Sequence, residues 1–269
     1  MNKYAIIGLG WLGKELAIQL QAIGCDVWGT STRIEKVESL THLGIQAHLF
    51  ELQEENYKGN LFNQLKETTH LLVNIPPKLR SNKDTDFVSK LLQLISLITQ
   101  FQIQHLIYVS TTSVFEDQVG IPEYTELSLP NSTSIVGKQL IEAENKILKL
   151  SSKTRTIQVL RLGGLVGGER HPAKFLSGQT DVKSPQAPVN LISRVDAINL
   201  ILALFEHKKS GIFHGVYPNY PTRRVFYSRA FNKMNLKEAS FKDDDQNKGK
   251  KISSLKTSSE LNFSFIKQP

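Results

Sequence analysis

Cysteine is nearly absent from this chain: Cys25 is the only one in 269 residues. One thiol cannot build an intramolecular disulfide framework. The histidines His42, His48, His70, His105, His207 and His214 share no ligand spacing, so no metal site is expected. Long apolar runs are missing too. The longest, Leu91 to Phe101, is interrupted by Gln93, Ser96, Thr99 and Gln100, which allows an amphipathic helix but no membrane span. The opening Met1-Asn2-Lys3-Tyr4 runs straight into a strand pattern without a signal-peptide apolar region, so a cytoplasmic location is expected. No repeat of about 20 to 50 residues and no low-complexity linker is visible. Acidic residues are outnumbered, 25 against 33 Lys and Arg, for a net charge of +8. The cations are spread along the chain. The one lysine-rich stretch, Lys248 to Lys251, stands beside Asp243, Asp244 and Asp245, which reads as a solvated mixed-charge surface rather than a nucleic-acid site.

With 40% hydrophobic and 22% charged residues, the composition is that of a globular chain. Surface scaling for this mass gives about 12,000 Å² exposed when folded against about 44,000 Å² unfolded, enough for a sizeable core. In the first part of the chain, short β-branched runs alternate with longer amphipathic segments, the pattern of βαβ units. Strands are expected at Tyr4 to Ile7, Asp26 to Gly29, Ile45 to Phe50, His70 to Ile75 and His105 to Ser110, forming a doubly wound parallel α/β sheet. The first helix sets Leu12, Leu16, Leu20 and Ile23 on one face and stops at Gly24. A second helix is expected from Thr85 to Gln100 with Asp84 as its cap. Later come a helix from Ile135 to Leu150, a strand Thr156 to Arg161, a glycine-rich loop, a short strand Val189 to Ile192, a helix Arg194 to His207 and a strand Ile212 to Val216. These later elements read as too short and interleaved for an independent core. They are expected to form a small C-terminal cap, so that residues 1–269 make one unit, 1–160 mainly dinucleotide-binding core and 161–269 mainly substrate-side cap.

Gly8-Leu9-Gly10-Trp11-Leu12-Gly13 fits G-x-G-x-x-G between the first strand and the first helix. Glycines there allow a tight turn, a close approach of backbone to a pyrophosphate, and close packing of helix on strand. The helix N-terminus then offers free N–H groups and the positive dipole end to the anion. About 20 residues further on, the second strand usually ends in an acid that binds the ribose 2′-OH. Here it ends Gly29-Thr30-Ser31-Thr32-Arg33, with Glu35 beyond it on a probable helix start. A neutral Ser31 and a guanidinium at Arg33 suit a 2′-phosphate, so NADP is favoured and NAD is the alternative.

That glycine motif, Val109-Ser110-Thr111-Thr112-Ser113-Val114-Phe115, Arg161-Leu162-Gly163-Gly164-Leu165-Val166-Gly167 and Val195-Asp196-Ala197 together resemble the NAD-dependent epimerase/dehydratase family of extended short-chain dehydrogenases. The whole chain is similar to its atypical, YeeZ-like bacterial subgroup, including the Arg170-His171-Pro172 loop. The resemblance implies an NAD(P)-binding Rossmann fold and a cleft for a small-molecule, sugar-nucleotide-like substrate; a homodimer is compatible with it. It also implies that the fifth strand ends in a Ser or Thr that binds the reacting oxygen, here Thr111 next to Ser110. The other reading of Ser110 to Ser113 is a hydroxyl-rich strand exit that satisfies loose backbone groups. Asn74, Ile75 and Pro76, closing the fourth strand, are expected to border the cofactor because ligands bind at the carboxyl ends of such strands.

Members of the family carry a Tyr, and a Lys four residues later, on the helix after the fifth strand. Registering on Glu142-Ala143-Glu144 puts Val136 and Leu140 there, and neither can transfer a proton. Lys138 lies about 200° around the helix from Val136 and does not substitute. Ile7 stands where extended members often have the first glycine of their motif. His171 and Arg170 are candidates for the missing acid chemistry or for holding an anion. Three functions are compatible with these residues: an NADP-dependent oxidoreductase or epimerase, a non-catalytic dinucleotide-binding sensor, and a 3-hydroxyacid dehydrogenase, whose opening Ile7-Gly8-Leu9-Gly10 resembles. The last requires a largely helical second domain, which the later strand patterns oppose.

Overall fold

The β-branched runs assemble into a seven-stranded sheet. A computed structural model, which describes residues 2–77, 85–242 and 247–269, has strands β1 (Lys3–Ile7), β2 (Asp26–Ser31), β3 (Gln46–Leu49), β4 (His70–Val73), β5 (His105–Thr111), β6 (Thr156–Leu162) and β7 (Gly211–Gly215). Their order is β7-β6-β5-β4-β1-β2-β3. The pairs β1–β2, β1–β4, β2–β3 and β4–β5 are parallel. This is the doubly wound order, with the direction of winding reversing between β1 and β4. Ligands of such sheets bind at that reversal, outside the carboxyl ends of the strands. The four residues of β4 are all buried, as a parallel strand covered on both faces requires.

Helix α1 (Trp11–Ala22) buries Leu12, Leu16 and Leu20. Gly24 follows in the left-handed region at φ 81°, its N–H donating to the Gln21 carbonyl at 2.9 Å. Ile23 departs from expectation. It is 66% exposed because it lies past the last helical residue, at ψ 14°, where the helical step no longer carries it to the apolar face. Helices α2 (Ile34–His42) and α3 (Phe62–Glu67) carry weak patterns, each burying one leucine, Leu40 and Leu65. Helix α4 (Phe87–Ile98) starts later than expected because Asp86 caps it, its carboxylate accepting from the Ser89 N–H at 2.9 Å. The expected cap Asp84 lies outside the described residues. Helix α5 (Ile135–Leu148) is capped by Ser134 through the Gly137 N–H at 3.0 Å.

The chain divides into two compact units: Met1–Ser110, Ser134–Leu160 and Ile201–Gly211 in the first; Thr111–Thr133, Arg161–Leu200 and Ile212–Pro269 in the second. In the first, His70 and His105 stand side by side at the starts of β4 and β5 with ring centroids 5.5 Å apart. Tyr4 packs on His70, and Phe205 meets both histidines edge-on. His70 Nδ1 is 2.8 Å from the Thr69 hydroxyl, and His105 Nε2 is 3.0 Å from Gln158 Oε1.

The second unit contains α6 (Ala173–Leu176), the start of α7 (Arg194–Glu206), α8 (Arg223–Met234) and α9 (Leu255–Leu261). Contrary to expectation, its elements build a hydrophobic cluster of their own: Ala173, Val182, Val189, Tyr227, Ala230, Phe231 and Ala239. Helix α8 supplies three of these, Tyr227, Ala230 and Phe231. A short strand Leu191–Ser193 pairs in parallel with Gly164–Val166. The stretch from Lys248 is folded rather than merely solvated, with Lys250 Nζ 3.2 Å from Asp117 and donating to the Phe115 carbonyl. Along β7, the His214 N–H donates to Thr257 Oγ1 at 2.9 Å, the Val216 N–H to Ser254 Oγ at 3.0 Å, and Lys256 Nζ to the Ile212 carbonyl at 2.8 Å. Among the described residues no helix is long and apolar enough to cross a membrane.

Candidate functional site

The turn from β1 into α1 is tied to β2 and β4 by short hydrogen bonds. The Gly8 N–H donates to Thr30 Oγ1 at 3.1 Å, the Leu9 N–H to the Thr30 carbonyl at 2.7 Å, and the Gly10 N–H back to the Gly8 carbonyl at 2.8 Å. Asn74 closes the other side, its N–H donating to the Ile7 carbonyl at 2.9 Å and its side-chain amide to the Gly8 carbonyl at 3.3 Å.

The three glycines differ. A Cβ on Gly8, which has φ 114°, would lie 2.3 Å from the Asn74 carbonyl oxygen, and one on Gly13 would lie 2.3 Å from the Gly8 carbonyl oxygen. Those two are glycine so that backbones can touch. A Cβ on Gly10 would meet nothing within 4 Å among the described residues. That open space lies at the N-terminus of α1, whose first turn has no side-chain cap bond and no acidic residue. The arrangement suits an anion: a helix N-terminus without a side-chain cap, a favourable dipole end and, among the described residues, open space in front of Gly10. The residues therefore fit a dinucleotide pyrophosphate. Leu9 and Leu12 are buried, so their side chains pack the turn, and Leu9 has already committed its N–H. Trp11 opens the helix half-buried.

Ser31 is buried at the end of β2 and its hydroxyl accepts from the Arg33 N–H at 3.3 Å. Arg33 is exposed, and Glu35 lies in the first turn of α2. Beside them stands Lys36, whose ammonium is held below its ordinary range, first by burial and then by the charges of Arg33 and Lys14. Three cations thus converge here, two of which the sequence reading had not singled out. Ile75 is half-buried and Pro76 exposed, directly after Asn74.

At the end of β5, the buried Ser110 donates its hydroxyl hydrogen to the Glu144 carboxylate, itself 2% exposed on α5. Burial, and then Glu144, push the Tyr108 phenol above its ordinary range, so this tyrosine stays protonated. On α5, Val136 is half-buried and Leu140 buried, with Lys138 exposed. Thr111 begins the second unit. Its Oγ1 accepts from the Ser113 N–H at 3.3 Å and caps a single 3-10 turn, Thr112–Val114. The expected strand-exit role is therefore present, and Thr111 Oγ1 also lies 3.3 Å from Ser113 Oγ, where either hydroxyl can be the donor.

The second unit also holds a cavity of about 400 Å³, within the range of small-molecule sites. Arg170, His171, Arg229, Lys233 and Lys267 line it together with Tyr217 and Phe226, and among the described residues no acidic side chain does. His171 stacks on Phe226 with ring centroids 5.5 Å apart. Its Nδ1 accepts from the Ala173 N–H at 3.2 Å, which leaves the hydrogen of the neutral ring on Nε2. Burial, then Lys174 and Lys233, lowers its pKa. His171 is thus a neutral hydrogen-bond donor at pH 7. Arg229 and Lys233 are four residues apart on α8, a basic pair on one helical face that was readable in the sequence once the helix was recognised. Among the described residues no group of three or more His, Cys, Asp or Glu is placed to hold a metal ion.

No protein-family model matches the chain. It is similar to the protein YeeZ of Escherichia coli K12, 31% identical over 268 residues that cover 98% of this chain and 96% of that one. In fold it is similar to MoeE5 in complex with UDP-glucose and NAD, with a TM-score of 0.81 at 14% identity over 99% of this chain and 94% of that one. It is also similar to the UDP-N-acetylglucosamine 4-epimerase of Bacillus cereus, with a TM-score of 0.71 at 19% identity over 99% and 94% of the two chains.

Proposed function

The chain belongs to the YeeZ-like branch of the NAD-dependent epimerase/dehydratase family, and from that premise we propose that it binds a nicotinamide dinucleotide, NADP in preference to NAD, and acts as an oxidoreductase or epimerase on a sugar-nucleotide-like hydroxyl or carbonyl. The observation that carries the cofactor reading is the open space in front of Gly10 at the uncapped N-terminus of α1. The N-terminus of α1, entered through the turn that Gly8, Gly10 and Gly13 permit, receives the pyrophosphate, and Asn74, Ile75 and Pro76 border it. When bound, the dinucleotide supplies or accepts the hydride.

The preference for NADP rests on Lys14, Arg33 and Lys36. Burial first, and then the charges of Arg33 and Lys14, lower the Lys36 ammonium, and a 2′-phosphate beside Ser31 offsets the like-charge part. NADPH is expected to bind at least about tenfold more tightly than NADH, an advantage of about 1.5 to 3 kcal/mol that Arg33→Ala removes. Fluorescence titration of both cofactors into both proteins measures it. Equal affinities in the wild type would return the site to NAD.

On the substrate side, four cations and the His171 Nε2–H line one cavity, which suits the diphosphate of a sugar nucleotide. Thr111 donates to the reacting oxygen. Thr111→Val is then expected to leave cofactor affinity intact and to slow turnover 10- to 100-fold, roughly 1.4 to 2.7 kcal/mol of barrier. NADPH absorbance and epimer analysis across a panel of sugar nucleotides and simple carbonyl compounds read that change. A second reading, a non-catalytic dinucleotide sensor, is favoured by Val136 and Leu140 in place of the proton-transferring pair. Firm NADPH binding with no turnover across the panel selects it.

A further inference from the structure

One wall of the cationic cavity includes Ser193, Lys267 and Gln268, and a single buried carboxylate ties these segments together. Asp196, in the first turn of α7, has no exposed surface. Its N–H donates to Ser193 Oγ at 3.0 Å. Its two oxygens accept from two successive backbone groups, the Ile266 N–H on Oδ1 and the Lys267 N–H on Oδ2, both at 3.0 Å. One residue earlier, Phe265 packs edge-on against Tyr217, another cavity residue, with centroids 6.3 Å apart. The side chains of Ile266 and Lys267 are exposed. The segment is therefore held by its backbone and by Phe265, not by burying its own apolar groups.

A carboxylate without exposed surface is costly unless charge-assisted hydrogen bonds replace its water. Here two main-chain donors and the positive end of α7 do so. Carboxylate and segment depend on each other: the segment gains its anchor, and Asp196 gains the partners that make its burial tolerable. The consequence for the cavity is positional. Lys267 reaches the lining from a backbone docked this way.

We propose that Asp196 is a positioning residue that docks residues 265–267 as a strap and thereby sets the Lys267 ammonium, with Arg229 and Lys233, against a diphosphate-bearing ligand. This rests on the reading of the cavity given above. It assigns a specific duty to an aspartate that carries no other one there, and it concerns the geometry of binding rather than the hydride step.

A mutant cycle tests it, with uridine diphosphate as the probe in titration calorimetry and amide hydrogen exchange over residues 265–267 as the second readout. Lys267→Ala is expected to weaken binding about fivefold, the scale of one exposed charged contact. Asp196→Asn is expected to match that loss and to speed exchange in the strap. The double variant should bind no more weakly than Asp196→Asn alone, because both changes remove the same contact. Ile266→Pro, which deletes one of the two donors and leaves α7 untouched, should weaken binding in the same direction and keeps the test valid if Asp196→Asn does not fold. Full affinity in Asp196→Asn and Ile266→Pro, or losses that add in the double variant, would overturn the positioning role while leaving the cavity reading in place. No binding of uridine diphosphate by the wild type would overturn both.

Discussion

Gly10→Val is expected to reduce dinucleotide affinity by at least about a hundredfold, more than 2.7 kcal/mol, in a protein that still folds. Gly10 has φ −75°, a conformation any residue adopts, and among the described residues nothing lies within 4 Å of the position a Cβ would take. The added Cβ has no close contact among the described residues, so the expected cost falls on the ligand whose pyrophosphate needs the space. Gly13→Val makes the opposite case. Its Cβ would lie 2.3 Å from the Gly8 carbonyl oxygen, so helix and turn must separate and stability falls with binding. Circular dichroism melting curves beside NADPH titrations distinguish the two. Unchanged affinity in Gly10→Val would reduce the glycine turn to a device of chain geometry alone.

Acid is expected to unfold the protein steeply below about pH 6. Burial, then the neighbouring His105, pushes His70 down to about 4. His105 is lowered chiefly by burial. His214, with no exposed surface, is lowered by burial against the opposing pull of Glu126. In the unfolded chain each titrates near its ordinary value of about 6.5. Below that value the unfolded state binds more protons than the folded one, so stability falls as pH drops and stops falling only once the folded histidine is itself protonated. His70 alone accounts for about 2 kcal/mol between pH 7 and pH 5. Urea midpoints measured across that interval give the proton count. His70→Phe, which keeps a ring between Tyr4 and Phe205, should cut the slope by close to one proton even though it costs some stability at pH 7. An unaltered slope would mean that His70 takes up its proton over the same pH range in the folded and the unfolded protein.

The sheet and the glycine turn were legible in the sequence because they depend on neighbours in the chain. The G-x-G-x-x-G spacing, the strand before it and the Leu12, Leu16, Leu20 stripe all lie within the first 20 residues. Of helix α2 only the start near Glu35 was legible, and of α3 nothing, since each buries a single leucine. The cavity was the hardest part to read. Arg170, Tyr217, Lys233 and Lys267 are separated by tens of residues, and only tertiary packing brings them to one wall. His171 was singled out for its place in a glycine-rich loop, but its tautomer depends on the Ala173 N–H, a contact that no spacing announces. The grouping of Lys14 and Lys36 with Arg33 similarly needs α1 and α2 in place beside β2.

The hydroxyls of Ser254 and Thr257 have a consequence for association between chains. β7 ends the sheet order, and a terminal strand ordinarily offers a row of unpaired main-chain groups to which a strand from another molecule can add. On this one, the outward N–H groups of His214 and Val216 are taken by those two hydroxyls and the outward Ile212 carbonyl by Lys256. Three side chains thus imitate the partner strand without extending the ladder. The sheet stops growing at a boundary written in serine, lysine and threonine, and a fibril-like addition at this border would first have to break three native hydrogen bonds.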